Sequence, residues 1–269
     1  MSTVSICIPC LNGEATLPQT LKSVSEQMLA PQEIILCDNG SRDGSLEIMQ
    51  RYAKANAGVR VVSHPEPTGM TSDWNRTIQE ASSDWVILLP CDDLLPVHAL
   101  ALHESLRAPG VIMTAGAKGL LTSSGRRIPG RISRLSTGRQ DGPTLRCALL
   151  RSAANLLGEP GAVAFKKTAF DQIGGFDPQF RYYPDVDLWI RLLAEGDCLV
   201  TREVVSLFRI HGRSLTGTNR KIAYDEWKSL YRRHFASLGL PESPTVEDEL
   251  RAKKTGFLRN IVFNLLARL

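Results

Sequence analysis

No run in the 269 residues approaches the ~20 apolar positions that a membrane-spanning helix needs, and the first residues carry neither a basic n-region nor an apolar leader core. The expectation is a cytoplasmic protein, either soluble or peripheral at the inner face of the membrane. A GxxxxGK[ST] phosphate loop is missing, and no GxGxxG follows the first strand. A nucleotide would therefore be held without a glycine cradle, and dinucleotide-dependent redox chemistry is disfavoured. Charge of one sign is also lacking: 32 basic residues against 28 acidic ones leave a net charge of +4, short of a nucleic-acid-binding signature. Cysteine is sparse, six in all, and Cys7, Cys37, Cys91 and Cys198 lie in or beside apolar strands, which suits reduced, buried thiols. Cys7 and Cys10 have CxxC spacing. They lie on a strand instead of opening a helix, and no second pair completes a zinc site, so the spacing reads as coincidence.

What is present is organised around Leu88-Leu89-Pro90-Cys91-Asp92-Asp93-Leu94, an apolar strand that ends in two adjacent carboxylates. Open α/β sheets hold ligands at the carboxyl ends of their strands. Side-by-side carboxylates repel, and a divalent cation or a pair of ribose hydroxyls would relieve them. The competing reading is that Asp92 or Asp93 caps a helix over residues 96–106. Upstream, Val4 to Ile8 reads as a strand closed by Pro9 and followed by Leu11-Asn12-Gly13. Leu17, Leu21, Val24 and Met28 recur at helical spacing, and Glu33 to Cys37 forms a second strand ending in Asp38-Asn39-Gly40-Ser41. A third strand, a third helix and the strand Trp85 to Leu89 follow. Right-handed crossovers put these strands in one parallel sheet, so that Asn12, Asp38, Asn39, Asp92 and Asp93 gather on one edge. Each has a turn explanation alone; their convergence describes a site for a ribose, a base and a metal-bound diphosphate.

Further on, Arg126 to Arg134 reads as a basic, mobile surface loop. Asn155-Leu156-Leu157-Gly158-Glu159-Pro160-Gly161 leads into a strand from Ala162 to Phe165 and a short helix ending at Gly174-Gly175-Phe176-Asp177. Pro184 begins a helix with Asp185 and Asp187 in its first turn, where acidic residues are commonplace. Cys198 to Ser206 is a strand, followed by Arg209-Ile210-His211.

In order and spacing these segments resemble the inverting family-2 glycosyltransferases of GT-A fold, over approximately residues 3 to 217. The resemblance implies an α/β, Rossmann-like fold with a mainly parallel central sheet flanked by helices. It divides the chain into a catalytic domain, 1–217, with a nucleotide-sugar half (1–110) and an acceptor half (111–217), plus a C-terminal helical extension, 218–269. It implies that Pro9, Asn12, Asp38, Asn39 and Asp92 bind the nucleotide sugar. Asp93 and His211 would hold Mn²⁺ or Mg²⁺, Asp185 would be the catalytic base, and Glu159 would border the acceptor. Three positions depart from the family pattern: Asn39 replaces a second aspartate, and Pro90 and Pro184 replace acidic residues. The implied activity is metal-dependent, non-processive, inverting transfer from a nucleotide-diphosphate donor, UDP-linked in the first instance, to a hydroxyl of a glycan or lipid-linked sugar in cell-surface glycan assembly. A processive synthase would carry QxxRW and membrane helices, and neither is found. A sugar-nucleotide pyrophosphorylase would carry an N-terminal glycine-rich signature, also missing. The alternative is a non-catalytic nucleotide-sugar-binding module of the same fold. Residues 247–269 mix Lys253, Lys254, Arg259 and Arg268 with Phe257, Leu258, Ile261 and Leu265, a composition suited to a membrane surface or to packing on protein.

Overall fold

The computed structural model describes residues 3–210 and 220–254. Its first half is three successive strand–helix units and a fourth strand: β1 (Val4–Cys10), α1 (Leu17–Ser25), β2 (Glu33–Asn39), α2 (Ser45–Ala55), β3 (Val59–His64), α3 (Met70–Gln79) and β4 (Trp85–Leu88). β1 is buried at every position because helices cover both faces of the sheet, and its alternation sorts the two cores. Ile6, Ile8 and Cys10 enter one hydrophobic cluster and Cys7 the other. The CxxC spacing thus spans two opposite faces, as expected for residues three apart on a strand.

The second half comprises α4 (Ala99–Ser105), β5 (Val111–Leu121), β6 (Arg127–Ile132), β7 (Gly138–Gln140), α5 (Gly142–Ser152), β8 (Val163–Lys166), α6 (Lys167–Gln172), α7 (Pro184–Leu192), β9 (Asp197–Arg209) and α8 (Arg220–His234). A last helical stretch, α9, covers 246–254. All nine strands join one sheet in the order β3-β2-β1-β4-β8-β5-β9-β7, with β6 on β5. The fold is α/β with a central sheet flanked by helices, as expected, and its longest ladders are parallel, with antiparallel pairings added in the second half. Pairings β1–β2, β1–β4, β2–β3 and β5–β9 are parallel, whereas β4–β8, β5–β6, β5–β8 and β7–β9 are antiparallel. The parallel half arises from crossover helices. β8 then enters against the direction of β4 and turns the second half into a mixed ladder.

One expectation changes. The basic segment 126–134 is no loop: Arg127–Ile132 pairs antiparallel with β5, and its exposed edge position explains why it shows no apolar alternation. In the C-terminal extension, Trp227, Leu230 and Tyr231 of α8 lie buried in the same cluster as Leu149 of α5 and Trp189 of α7. Trp227 Nε1 donates to Leu150 O at 2.8 Å, and Arg151 pairs with buried Asp248 of α9.

One buried group sets a pH limit on this fold. His103 of α4 is fully buried, with Nδ1 sharing a 2.8 Å hydrogen bond with Thr114 Oγ1 of β5. Burial, helped by the nearby Arg107 charge, lowers its pKa from 6.5 to about 3. The unfolded chain takes up this proton near 6.5 and the folded one does not, so the contribution to stability is complete above 6.5 and is lost as the pH falls toward about 3. Urea unfolding should therefore show stability falling by up to about 1.4 kcal/mol per pH unit from this group alone on acidification. In His103→Gln that component of the slope should vanish.

Candidate functional site

The parallel pairing that sets Cys10 opposite Asp38 also brings the carboxyl ends of β1, β2 and β4 to one edge. Here the chain is stitched loop to loop. Asn12 adopts a left-handed conformation with φ 55°, its Oδ1 accepts the Arg42 N–H at 2.8 Å, and its own N–H donates to Ser41 Oγ at 2.9 Å. The next N–H, of Gly13, donates to Ser45 Oγ. A Cβ at Gly13 would fall 2.7 Å from Cys10 Sγ and 2.8 Å from Cys91 Sγ, so only glycine fits between the ends of β1 and β4. Asp38 is 2% exposed; one carboxylate oxygen accepts the Ser41 N–H at 3.3 Å, and the other is buried with no hydrogen-bond partner among the described residues. Such an oxygen is costly unless a ligand donates to it.

Asn39, expected beside Asp38 at the nucleotide, is committed internally. Its Nδ2 donates to the carbonyls of Cys37 and Cys10, and its Oδ1 accepts from Arg76 of α3. Arg76 in turn pairs with Asp73, whose carboxylate also takes the N–H and hydroxyl of Thr68. Asn39 thus ties β2 to α3.

At the end of β4, neither aspartate caps α4, which begins after His98 with no side-chain cap. Asp93 is 1% exposed and its Oδ1 accepts the backbone N–H of Arg209 at 2.8 Å. Arg209, 2% exposed, closes the turn from the far end of β9: Nε donates to Asp92 O at 2.7 Å, one terminal nitrogen to Ser123 O at 3.2 Å and the other to Gln19 Oε1 at 2.8 Å. Thr20 Oγ1 donates to the carbonyls of Cys91 and Asp93. Burial first, then the adjacent Asp92 carboxylate, pushes Asp93 well above the usual carboxylate range; the Arg209 N–H opposes this, Glu159 adds to it and Lys118 offsets it. Asp92 is half-buried on the same turn. Glu159 forms an ion pair with Lys118 of β5, while its second oxygen is buried without a hydrogen-bond partner among the described residues.

The first turn of α7 has Pro184 at its start. Its two aspartates have different fates. Asp185 is half-buried; Oδ1 accepts the Val186 N–H at 2.8 Å and Oδ2 accepts Asn155 Nδ2 at 2.6 Å. Asp187 is fully buried and held by Arg191 at 2.6 Å and by His234 of α8 at 3.1 Å. Burial alone would raise its pKa, but the His234 hydrogen bond and the Arg191 charge bring it below the ordinary carboxylate value. From α8, Glu226 accepts the N–H groups of Arg181, Tyr182 and Tyr183, the residues leading into α7.

Asn12, Asp38, Asp92 and Asp93 thus share one strand-end edge, Glu159 joins the charge cluster at Asp93, and Asn39 turns inward. Pro9 is buried within β1. His211 and residues 255–269 lie outside the described residues. Among the described residues no cluster of three His, Cys, Asp or Glu side chains could hold a metal. The carboxylate pair is still the donor type a hard cation takes, and such ions commonly bind through one or two carboxylates plus substrate oxygens. Arg209, Lys118, Arg76 and Asn155 are site residues that pattern reading does not single out. Arg209 stands two places before His211, and Asn155 opens the run that ends at Glu159, but neither position signals its contacts.

Residues 5–116 match the family described as glycosyl transferase family 2. An uncharacterized protein of Mycobacterium tuberculosis is 29% identical over 211 residues, 75% of this chain and 65% of the relative, so the chain spans just under two thirds of that protein's length. A PGL/p-HBAD biosynthesis glycosyltransferase of Mycobacterium bovis is 28% identical over 199 residues, 74% of this chain and 72% of the relative. Among solved structures, S. aureus TarS 1-349 in complex with UDP-GlcNAc superposes with a TM-score of 0.69 at 15% identity, covering 97% of this chain and 73% of that one. The mannosyltransferase PcManGT from Pyrobaculum calidifontis, in complex with GDP-Man and Mn²⁺, gives 0.64 at 17% identity, covering 98% and 74%.

Replacing Arg209 with Met should leave the Asp92 and Ser123 carbonyls and Gln19 Oε1 without their donor. Thermal or urea unfolding should register a loss of about 3 kcal/mol, the range for removing one partner of a buried charged network. Arg209→Lys should recover only part of it, because an ammonium cannot span three acceptors in a fixed fork.

Proposed function

We propose, on the premise that this chain belongs to glycosyltransferase family 2 and has the GT-A fold, that it carries out non-processive, inverting transfer of a sugar from a nucleoside-diphosphate donor to a hydroxyl acceptor. The observation that carries the reading is the strand-end edge, where β1, β2 and β4 bring together the Asp92–Asp93 turn and Asp38, one of whose oxygens is buried with no hydrogen-bond partner among the described residues. The start of α7 carries Asp185, bonded to Asn155 in the run that leads to Glu159.

On the donor side, Asp38 accepts a hydrogen bond from the nucleotide, and Asn12 and Pro9 border it. Asp92 is assigned to a divalent cation, Mn²⁺ or Mg²⁺, together with the donor's diphosphate oxygens. Asp93, expected from the sequence to be the ligand, acts instead through its buried bond to Arg209, which fixes the turn that presents Asp92. His211 is retained as a further ligand on the resemblance alone. When bound, the cation supplies positive charge to the leaving diphosphate. The solved neighbours carry UDP-GlcNAc in one case and GDP-Man with Mn²⁺ in another, which supports this class of donor.

On the acceptor side, Asp185 takes the proton from the attacking hydroxyl as it approaches the anomeric carbon opposite the leaving group. A single displacement inverts that centre. Glu159, paired with Lys118, borders the acceptor. We assign the donor half to residues 1–110 and the acceptor half to 111–217, with the extension from 218 packed on the latter through α8. The acceptor is a glycan or a lipid-linked sugar in cell-surface assembly. A peripheral position at the inner face of the membrane, reached through the segment from 247 onward, suits a lipid-linked one. The exposed Val246, Leu250, Arg251, Lys253 and Lys254 of α9 support that contact, and no helix among the described residues is long and apolar enough to cross a membrane.

The test is a panel of UDP- and GDP-linked sugars with glycan and lipid-linked acceptors, with and without Mn²⁺. One donor should release nucleoside diphosphate, and release should fail without the cation and in Asp92→Ala. Asp185→Asn should bind that donor normally and transfer about 10²–10⁴-fold more slowly, the usual span for a general base. Transfer by Asp185→Asn at the wild-type rate would remove the base. Cation-dependent donor binding with no turnover against any acceptor would instead identify a non-catalytic nucleotide-sugar-binding module.

A further inference from the structure

The turn between α5 and β8 carries a side chain whose every polar group is used, and one of its contacts is the carboxylate assigned above as the base. We propose that Asn155 is the positioning residue for Asp185; the inference rests on that assignment. Asn155 Oδ1 accepts the N–H of Leu157 at 3.2 Å and of Gly158 at 2.9 Å, closing an Asx turn on its own backbone. With the oxygen so engaged, Nδ2 must face the other way. There it donates to Gly158 O and to Asp185 Oδ2, both at 2.6 Å. A primary amide has two donor hydrogens and one acceptor oxygen with two lone pairs, so these four bonds exhaust it. Rotating the amide by half a turn would oppose oxygen to carbonyl and carboxylate and nitrogen to two N–H groups. The network therefore admits one orientation.

The turn is in turn bolted to α7. Tyr183 Oη donates to Ala153 O at 3.1 Å, just before the helix, and Trp189 Nε1 donates to Gly158 O at 3.3 Å, one turn past Asp185. Ala153 takes a left-handed conformation, φ 49°, so the chain leaves α5 sharply enough to bring Asn155 under α7. Asn155 thus meets Asp185 as part of a rigid frame with anchors on both sides of the carboxylate. Glu159 follows Gly158 directly, so base and acceptor border share this frame.

The chemistry follows from what an amide can do beside a carboxylate. It donates and carries no charge. It holds the rotamer and favours the ionised form that a base must have. Among the described residues, charged groups on the neighbouring elements have partners of their own: Asp187 with Arg191, Arg233 and His234, Glu226 with three backbone N–H groups, and Glu159 with Lys118.

Asn155→Asp separates orientation from bulk. It keeps an oxygen for the Leu157 and Gly158 N–H groups and replaces the donor facing Asp185 with a second carboxylate. Two carboxylates in contact cannot both ionise freely, so the Asp185 titration midpoint should rise by about one pH unit or more. This is read from its ¹³C carboxyl resonance, assigned with Asp185→Asn. The acid limb of the pH–rate profile for donor turnover should move to higher pH by the same amount, with donor affinity unchanged; a purely structural defect would lower the rate equally at every pH. The wild-type protein provides a check that needs no fold-sensitive variant. The Asn155 side-chain amide resonances should titrate in step with the Asp185 carboxyl, and that titration should vanish in Asp185→Asn. An amide indifferent to pH while Asp185 titrates, or a folded Asn155→Asp with an unmoved midpoint, would overturn the proposal. Normal sugar transfer by Asp185→Asn is a separate failure: it would remove the base while leaving the amide–carboxylate coupling observable.

Discussion

The strand-end edge depends on one buried guanidinium. Arg209 reaches from the end of β9 to three acceptors on three different segments, and its backbone N–H holds Asp93. Two adjacent acidic residues at a strand end would otherwise repel and fray the turn. The arrangement satisfies Asp93 internally, with Asp92 half-buried beside it on the same turn. Removing the Arg209 guanidinium would leave the Asp92 and Ser123 carbonyls and Gln19 Oε1 without their charged donor, which is why the turn and β9 stand or fall as a unit.

The start of α7 is held by a different kind of lock. α7 places two aspartates two residues apart on its first turn, and packing separates them. Asp187 points into a basic cluster built from α7 itself and from α8, while Asp185 lies on the face that meets Asn155. Glu226 gathers three N–H groups from the residues that enter the helix. α8 thereby reaches both the approach to Asp185 and the residue that follows it by two.

Most of the parallel half is legible in the sequence, because apolar strands alternating with 3.6-periodic helices and polar turns leave few topologies open. The convergence of Asn12, Asp38, Asp92 and Asp93 follows from that topology. Less legible are features decided by partners distant in the chain. The strand at 127–132 lies exposed on the sheet, so it carries no apolar alternation to betray it. Asn39 reads like a ligand contact beside Asp38, and only the position of Arg76 on α3 shows that its amide is consumed. Asp92 and Asp93 are indistinguishable as letters; the N–H of Arg209 tells them apart. Asn155 sits in a run whose glycine and proline announce a turn, while its bond to Asp185 spans a helix and a strand that pattern alone cannot orient.

The distance along the chain between Asp93 and Arg209 bears on when the protein becomes competent. The two residues that share the 2.8 Å bond lie 116 positions apart. β1 to β4 can form from local strand–helix units, whereas β9 must pair in parallel with β5 across the intervening chain, a slow, non-local closure. At a synthesis rate of about 5–20 residues per second, Arg209 emerges roughly 6–23 s after the turn it secures. Until then a ribosome-bound chain has the parallel strands but not the latch that secures the turn at their ends. The edge thus takes its final shape only after β9 has been made, and a chain arrested before that point holds two adjacent carboxylates without the guanidinium that braces their turn.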